Sequence, residues 1–161
     1  MNKSPMVEIK SPTPLFWDNP ASLFLAGSIE MGKAEDWQQK VVNALRDSDV
    51  AVLNPRRDNW DPTWEQSTSN RKFVEQVNWE LNAIDHADFV VFYFDPNTKS
   101  PITLLELGLC AGARAHSQNI IVCCPDGYWR KGNVDIVCKT YGLTLVDTIE
   151  DLISTVIEKL V

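Results

Sequence analysis

The middle of the chain carries the apolar run Phe89-Val90-Val91-Phe92-Tyr93-Phe94, which Asp95-Pro96-Asn97 ends. A run of this length, rich in aromatic and β-branched residues, predicts a buried β-strand. Ser100-Pro101 follows shortly and predicts a helix start, with serine at the N-cap and proline at the first helical position. We expect that helix to continue to about Ala115. A buried strand that leads into a helix is the repeating unit of a parallel sheet.

The same alternation extends to both sides of this stretch. Shorter apolar runs predict strands at 23–26, 50–53, 120–124 and 143–146. Segments with helical character predict helices at 34–46, 69–86, 134–139 and 149–160. The pattern predicts an α/β fold: a flavodoxin-like, doubly wound, five-stranded parallel sheet in a three-layer α/β/α sandwich.

The N-terminal part of the chain has a different character. Residues 1–20 hold four of the nine prolines and show no clear periodicity. We expect an extended N-terminal segment over 1–20, with a short strand at Met6 to Ile9 as an option, followed by a single domain over 21–161.

The expected fold indicates where a ligand binds. In open parallel sheets, ligands lie beyond the carboxyl ends of the strands, at the point where the strand order reverses. This rule selects four loops, which are Gly27–Gly32, Asn54–Ser67, Asp95–Pro101 and Pro125–Gly132.

Charge and composition exclude several classes of partner. The chain has 161 residues, 44% hydrophobic and 23% charged, with 15 basic and 22 acidic residues and a net charge of −7. This balance disfavours binding to nucleic acid or to anionic lipid. No apolar run approaches the roughly 18 residues that a membrane span needs, and the polar start lacks the apolar region of a signal peptide. We therefore expect a cytoplasmic protein.

The cysteines give little support for a metal or redox site. Cys123 and Cys124 are adjacent in an apolar run, no C-x-x-C motif occurs, and the chain has only two histidines. We expect reduced, buried thiols, no metal and no cofactor.

Two glutamates are candidates for catalysis. Glu106 lies in the apolar helical segment 102–111, where a carboxylate is costly unless it has a partner or a purpose. If it faces the cleft, Glu106 can act as a nucleophile or a general base. A position on the solvated stripe of the helix is an equally good alternative. Glu80 lies in the helix before the strongest strand. It can pair with Glu106 so that the two carboxyl groups divide the nucleophile and proton-transfer roles, although a solvent-facing position is the simpler expectation for Glu80.

The predicted loops hold further candidates for substrate binding. Gly27 permits close approach of a ligand and Ser28 offers a hydroxyl group, although both also fit an ordinary turn. Trp60 and Trp64 occupy a polar loop, where they can stack a planar base or form a subunit interface. Asp58 can bind sugar hydroxyl groups, with loop solvation as the alternative.

Three segments together resemble the nucleoside 2-deoxyribosyltransferase superfamily. The segments are Leu25–Ile29, Asn78–Ile84 with Ala87-Asp88, and Ser100–Gly108. That superfamily has the flavodoxin-like fold, and it includes transferases that move 2-deoxyribose between bases and hydrolases that cleave 2-deoxynucleoside 5-monophosphates.

The resemblance implies a role for each matching residue. It implies that Glu106 is the nucleophile and that Glu80, where an aspartate is more usual, assists proton transfer to the base. It implies that Gly27, Ser28 and Ile29 line the sugar site, and that Ser100 contacts the 5 position of the sugar. The substrates are then a 2-deoxynucleoside and a free nucleobase, and the protein is a homo-oligomer, a dimer or larger.

Two positions depart from the family pattern. The nucleotide hydrolases carry an arginine directly after Gly-Ser-Ile, where this chain has Glu30. A carboxylate there repels a phosphate, so a free nucleoside is favoured over a nucleotide. In several transferases an asparagine from a neighbouring subunit's C-terminal end completes the site, and the segment 155–161 contains no asparagine.

Three functions remain open on the sequence alone. The first is transfer of 2-deoxyribose between nucleobases by double displacement, through a covalent deoxyribosyl-glutamate. The second is hydrolysis of the N-glycosidic bond of 2-deoxynucleosides or their 5-monophosphates. The third is a non-catalytic nucleotide-sensing module on the same fold.

Overall fold

The computed structural model describes residues 5–30 and 34–161. The strands within these residues are β1 (Val7–Lys10), β2 (Ser22–Gly27), β3 (Ala51–Asn54), β4 (Phe89–Tyr93), β5 (Ile120–Cys123) and β6 (Thr144–Val146). The helices are α1 (Trp37–Ala44), α2 (Arg71–His86), α3 (Pro101–Ala113), α4 (Lys131–Tyr141) and α5 (Ile149–Leu160). Residues 1–4 of the expected N-terminal segment and residues 31–33 of the expected loop Gly27–Gly32 lie outside the described residues.

The described strands form one parallel sheet in the order β1-β3-β2-β4-β5-β6. The chain runs outward from β2 to β3 and then returns across β2 to β4, so the order reverses between the two central strands. This is the doubly wound, flavodoxin-like α/β arrangement that the alternating pattern predicts. The expected number of strands is corrected from five to six.

The additional strand is β1, at the edge of the sheet. It pairs in parallel with β3, with Val7 opposite Ala51, and only Ile9 of its four residues is fully buried. Because an edge strand is short and partly solvated, its sequence lacks the continuous apolar run that identifies the central strands.

Helices cover both faces of the sheet. Side chains along a strand point alternately to the two faces, so Phe24 and Ala26 join one buried cluster while Leu23 and Leu25 join the other. The first cluster packs under α2, α3 and α4, and the second packs under α1 and α5. None of the helices in the described part of the chain has the length and apolar character that crossing a bilayer requires.

Gly27 allows the end of β2 to pack closely against its surroundings. It lies opposite Tyr93 of β4. A Cβ atom at this position would lie 2.5 Å from Cζ2 of Trp37 and 2.7 Å from the carbonyl oxygen of Tyr93. Real Cβ atoms do not approach backbone this closely, so only glycine fits without a local rearrangement.

We predict that Gly27→Ala lowers the free energy of unfolding by about 1–3 kcal/mol, because the new methyl group overpacks a filled site. Urea denaturation followed by tryptophan fluorescence measures the change. Gly108→Ala is the matched control, since a Cβ there meets no heavy atom within 4 Å and the residue is helical. That substitution is expected to stabilise by about 0.5–1 kcal/mol. Equal effects of the two substitutions would contradict the packing argument.

Candidate active site

The loops that follow β2 and β4 meet at the carboxyl edge of the sheet through a cluster of hydroxyl groups. Oγ of Ser28 accepts a hydrogen bond from the backbone N–H of Asp95 at 2.9 Å and also hydrogen-bonds Oγ of Ser100. Oγ1 of Thr98 donates to Ser28 at 3.0 Å and lies 2.7 Å from Oγ of Ser100. Two predicted residues 72 positions apart, Ser28 and Ser100, are therefore neighbours, and both are buried.

Thr98 is a member of this cluster that the sequence did not single out, because a threonine in a polar turn gives no distinctive signal. Ile29 comes next to Ser28 and is half-buried, and its carbonyl accepts the N–H of Ala34 at 3.2 Å. The predicted segment Gly27-Ser28-Ile29 thus lines the carboxyl end of β2, as the fold rule expects.

The start of α3 differs from the prediction in one respect. Ser100 is at the N-cap and Pro101 is the first helical residue, but the Ser100 hydroxyl caps no helical N–H group. Its oxygen is engaged by Ser28 and Thr98 instead. The carboxylate of Glu30 accepts the backbone N–H of Ser100 at 2.7 Å, so an acidic side chain from the loop after β2 lies at the N-terminus of α3.

Glu80 and Glu106 form a pair of buried carboxyl groups. Glu106 projects from α3 and is 7% exposed, and Glu80 projects from α2. Their side chains hydrogen-bond each other, and Nε2 of Gln76 donates to Oε1 of Glu80 at 2.9 Å. The alternatives of a solvated stripe for Glu106 and a solvent-facing position for Glu80 do not describe this arrangement.

Burial changes the acidity of both groups. It raises the pKa of Glu80 to about 7, although the hydrogen bonds with Gln76 and Glu106 act in the opposite direction. Burial raises the pKa of Glu106 well above the ordinary carboxyl range, and the charge of Glu80 and the hydrogen bond to it raise it further. Because two adjacent buried carboxyl groups do not ionise together readily, the pair holds one proton near neutral pH.

Gln76 connects this pair to two other parts of the chain. Its Nε2 atom also donates to the carbonyl oxygen of Pro55 at 2.9 Å, and its Oε1 atom accepts from Oγ of Ser11 at 2.5 Å. The residue lies one helical turn before Glu80 on the same face of α2. Sequence analysis missed Gln76, and the only available signal was its spacing of four from a candidate glutamate.

The predicted residues of the loop after β3 form a separate group. The rings of Trp60 and Trp64 lie 5.1 Å apart in an edge-to-face arrangement, and the guanidinium carbon of Arg57 lies 5.2 Å from the Trp64 ring. Asp58 is exposed and forms an ion pair with Lys10 at 2.8 Å. Within the described residues, no hydrogen bond joins Asp58, Trp60 or Trp64 to the two glutamates.

A cavity in the described part of the chain lies at the opposite edge of the sheet. It has a volume of about 310 Å³ and is lined by residues that include Trp17, Asn19, Ser22, His86 and Asp88. Ser22 begins β2, and Asp88 directly precedes β4. The cavity therefore lies at the amino ends of the strands and is distinct from the site around the glutamate pair.

The cysteines are not arranged for chemistry. All four are free and buried, and burial raises the pKa of each thiol to about 12. A thiol of such low acidity is a poor nucleophile at neutral pH. Among the described residues, no three His, Cys, Asp or Glu side chains are grouped so that they can hold a metal ion.

Comparisons with known proteins bear on the fold and the family of this chain. A crystal structure of a conserved protein from Enterococcus faecalis V583 has a TM-score of 0.58 to this chain at 14% identity, over 87% of this chain and 99% of the other. At that identity the likeness concerns the fold alone. No curated protein sequence matches the chain significantly.

The family model described as nucleoside 2-deoxyribosyltransferase like matches residues 20–128. This range covers about two thirds of the chain and includes the hydroxyl cluster, both glutamates and the loop after β3. The chain belongs to the nucleoside 2-deoxyribosyltransferase-like family.

Proposed function

We propose that the protein transfers 2-deoxyribose from a 2-deoxynucleoside to a free nucleobase, through a covalent intermediate on Glu106. The observation that carries this proposal is the buried Glu80–Glu106 pair. The pair shares one proton, which the charge of Glu80 favours on Glu106. In this proposal that proton passes to Glu80 along their hydrogen bond when the substrate binds, which leaves a carboxylate on Glu106 and a carboxylic acid on Glu80. A double displacement at the sugar needs both.

In the first step, the Glu106 carboxylate attacks the anomeric carbon of the sugar and forms a C–O bond. The C–N bond to the base breaks on the opposite side, and its electron pair passes to the base nitrogen. Glu80 protonates the departing base, directly or through a water molecule. The absence of a 2-hydroxyl group on the sugar makes the oxocarbenium-like transition state easier to reach.

In the second step, a nitrogen of the incoming base attacks the anomeric carbon, and the bond to Glu106 breaks with its electron pair returning to the carboxylate. The proton of the incoming base passes to Glu80, which restores the starting state. Two inversions at the same carbon give net retention, as in retaining glycosidases.

The sugar has a suitable place between Glu106 and the hydroxyl cluster. Ser100 precedes Glu106 by six residues, roughly 9 Å along the axis of α3, and a helical glutamate leans back toward the N-terminus. A deoxyribose whose anomeric carbon lies at Glu106 therefore reaches Ser28 and Ser100 with its other end. In this proposal Trp60 or Trp64 stacks the base. A contact of Asp58 with the sugar stays a prediction that competes with its Lys10 ion pair.

Glu30 supports a free nucleoside as the substrate. Helix N-termini attract anions, but the carboxylate of Glu30 already accepts the N–H of Ser100 at the start of α3. A 5-phosphate would lie against this carboxylate and be repelled. The nearby cations Lys99 and Arg130 lie over the ring of Trp129, at 5.8 and 4.3 Å from its centroid.

We also propose that the protein assembles as a homo-oligomer. Ile102, Leu105 and Leu109 recur at helical spacing on α3 and are 59%, 61% and 47% exposed. A stripe of large apolar side chains on one helix is typical of a surface that another subunit covers.

The first prediction concerns the nucleophile. Purified protein mixed with thymidine and a panel of free bases, namely adenine, hypoxanthine and uracil, is expected to produce new 2-deoxynucleosides that chromatography separates. Glu106→Gln removes the nucleophile and is expected to reduce exchange roughly a thousandfold or more. Glu158→Gln, on the exposed face of α5, is the control and should retain full activity.

Release of thymine at the same rate with and without acceptor bases would instead identify a hydrolase. If neither exchange nor release occurs, the proposal is wrong.

The second prediction concerns the proton on Glu80. The pKa of Glu80 is raised to about 7, and the charge of Glu80 raises the pKa of Glu106, so the pair loses its first proton near pH 7 and its second at higher pH. Only the singly protonated pair has both a nucleophile and an acid, so kcat/KM is expected to rise through about pH 7 and to decline when the second proton leaves. Glu80→Gln should lower the rate roughly a hundredfold and abolish this alkaline decline. Asp85→Asn, which alters an exposed carboxylate of the same helix, serves as the control. An alkaline decline that persists in Glu80→Gln would assign the proton to another group.

The third prediction concerns substrate class. The wild-type protein is expected to prefer thymidine to thymidine 5-monophosphate, and Glu30→Gln should reduce that preference roughly tenfold because it removes a like charge from the 5 end of the sugar site. Glu35→Gln, which removes a surface carboxylate paired with Lys40, should leave the preference unchanged. Comparison of kcat/KM for the two substrates gives the result. A wild-type preference for the monophosphate would show that Glu30 does not repel the phosphate.

A further inference from the structure

Two buried hydrogen-bond donors in the loop between β3 and α2 have no acceptor among the described residues. They are Nη1 of Arg57 and Nε1 of Trp60. A buried donor without an acceptor costs about 1–3 kcal/mol, and native proteins keep few of them. Their occurrence three residues apart in one loop calls for a common explanation.

Arg57 is also incompletely neutralised. Its side chain is 2% exposed, and among the described residues the one carboxylate in contact is Glu75, with Nη2 of Arg57 at 3.4 Å from Oε2. Nε of Arg57 donates to Asn59 at 2.9 Å. Buried cations are usually fully hydrogen-bonded, because removal from water is expensive. An arginine with a long ion pair and a free donor is therefore suited to an additional acceptor.

The loop that carries these donors is joined to the glutamate pair. Nε2 of Gln76 donates to both the carbonyl oxygen of Pro55 and Oε1 of Glu80. Pro55 lies two residues before Arg57, and Glu75, the ion-pair partner of Arg57, is the neighbour of Gln76 in α2. Gln76 therefore ties the segment that carries the unpaired donors to Glu80, the residue that protonates the leaving base in the proposed reaction.

We propose that Arg57 and Trp60 bind a carbonyl oxygen of the nucleobase, so that the site selects oxo-bases such as hypoxanthine and thymine over the amino-base adenine. This inference rests on the proposed function. An indole N–H and a guanidinium can only donate, and a carbonyl oxygen can accept two hydrogen bonds. The exocyclic amino group of adenine presents donors at the same position and leaves Arg57 and Trp60 unpaired.

The same contact favours departure of the base. When the C–N bond breaks, its electron pair passes to the base, and the ring spreads negative charge onto the carbonyl oxygen. A guanidinium held in a dry site stabilises charge that develops at that oxygen. Glu80 then delivers the proton that neutralises the base, so Arg57 assists without accepting or donating a proton.

Titration calorimetry with free hypoxanthine and free adenine tests this inference, since the two bases differ only in the group at position 6 and in the proton on the adjacent N1. The wild-type protein is expected to bind hypoxanthine at least roughly tenfold more tightly. Arg57→Met removes the guanidinium, and Trp60→Phe removes the indole N–H while keeping an aromatic ring. Each substitution should bring the ratio of affinities close to one, mainly by weakening hypoxanthine binding. Exchange rates with 2-deoxyinosine and 2-deoxyadenosine as donors should change in parallel.

Two matched controls separate recognition from folding. Arg56→Met alters the adjacent arginine, whose donors are satisfied by Gln38 and by the carbonyl oxygens of Ala34 and Glu35. Trp129→Phe alters an exposed tryptophan. Both are expected to preserve the hypoxanthine preference. If Arg57→Met does not fold, Trp60→Phe still decides the matter.

The outcomes distinguish this inference from the proposed function. Equal affinity of the wild type for the two bases, or a preference that survives both Arg57→Met and Trp60→Phe, would overturn it and assign the two donors to buried water. Base exchange without an oxo preference would leave the proposed function intact and remove only this inference. An oxo preference in binding without any exchange would support the inference and contradict the proposed function. Failure of both bases to bind would overturn the inference as well.

Discussion

The burial of two carboxyl groups against each other is the constraint on which the rest of the site depends. Glu80 and Glu106 come from different helices, and the pair is stable only while it retains a proton. Because folding raises the pKa of both groups, the folded chain binds more protons than the unfolded chain at neutral pH. Their contribution to stability is therefore present in acid and is lost as the pH rises through about 7. Above that pH the ionised pair lowers the free energy of unfolding, and the site keeps the pair because an enzyme of the proposed kind requires it.

The central strands place the parts of the site around this pair. At their amino ends, Oδ2 of Asp88 accepts the N–H and the hydroxyl of Ser22, both at 2.8 Å, which holds the starts of β2 and β4 together. At their carboxyl ends, Gly27 lies opposite Tyr93, and the loops beyond them meet through the Ser28 hydroxyl. Asp88 belongs to a segment that resembles the family, and its contacts here are structural. A matching residue is therefore not necessarily a functional one.

Sequence patterns predicted the elements that local physics determines. The apolar run at 89–94 could only be a buried strand, and Glu106 was conspicuous because a charge is expensive in an apolar helix. The edge strand β1 was not counted because partial solvation gives it a mixed composition. The Ser100 hydroxyl was expected to cap α3, but it bonds Ser28, 72 residues away, which no local pattern encodes. Gln76 and Arg57 were missed for the same reason, since their significance lies entirely in partners that the fold supplies.

The geometry of a parallel sheet explains why, in the proposed function, different loops contact different parts of the substrate. Successive strands end at one edge, so each loop at that edge can contact a different part of one small ligand. In the proposed function, the loop after β2 supplies Glu30 to the 5 end of the sugar, the loop after β3 supplies Arg57 to the base, and α3 supplies Glu106 to the carbon between them. Within the part of the chain that the structure describes, direct hydrogen bonds join the β3 loop to the carboxyl pair only through Gln76. Under the proposed function, base preference can therefore change in this loop without disturbing the nucleophile. In this proposal specificity and chemistry are then separable, since they are carried by different segments that meet at one edge of the sheet.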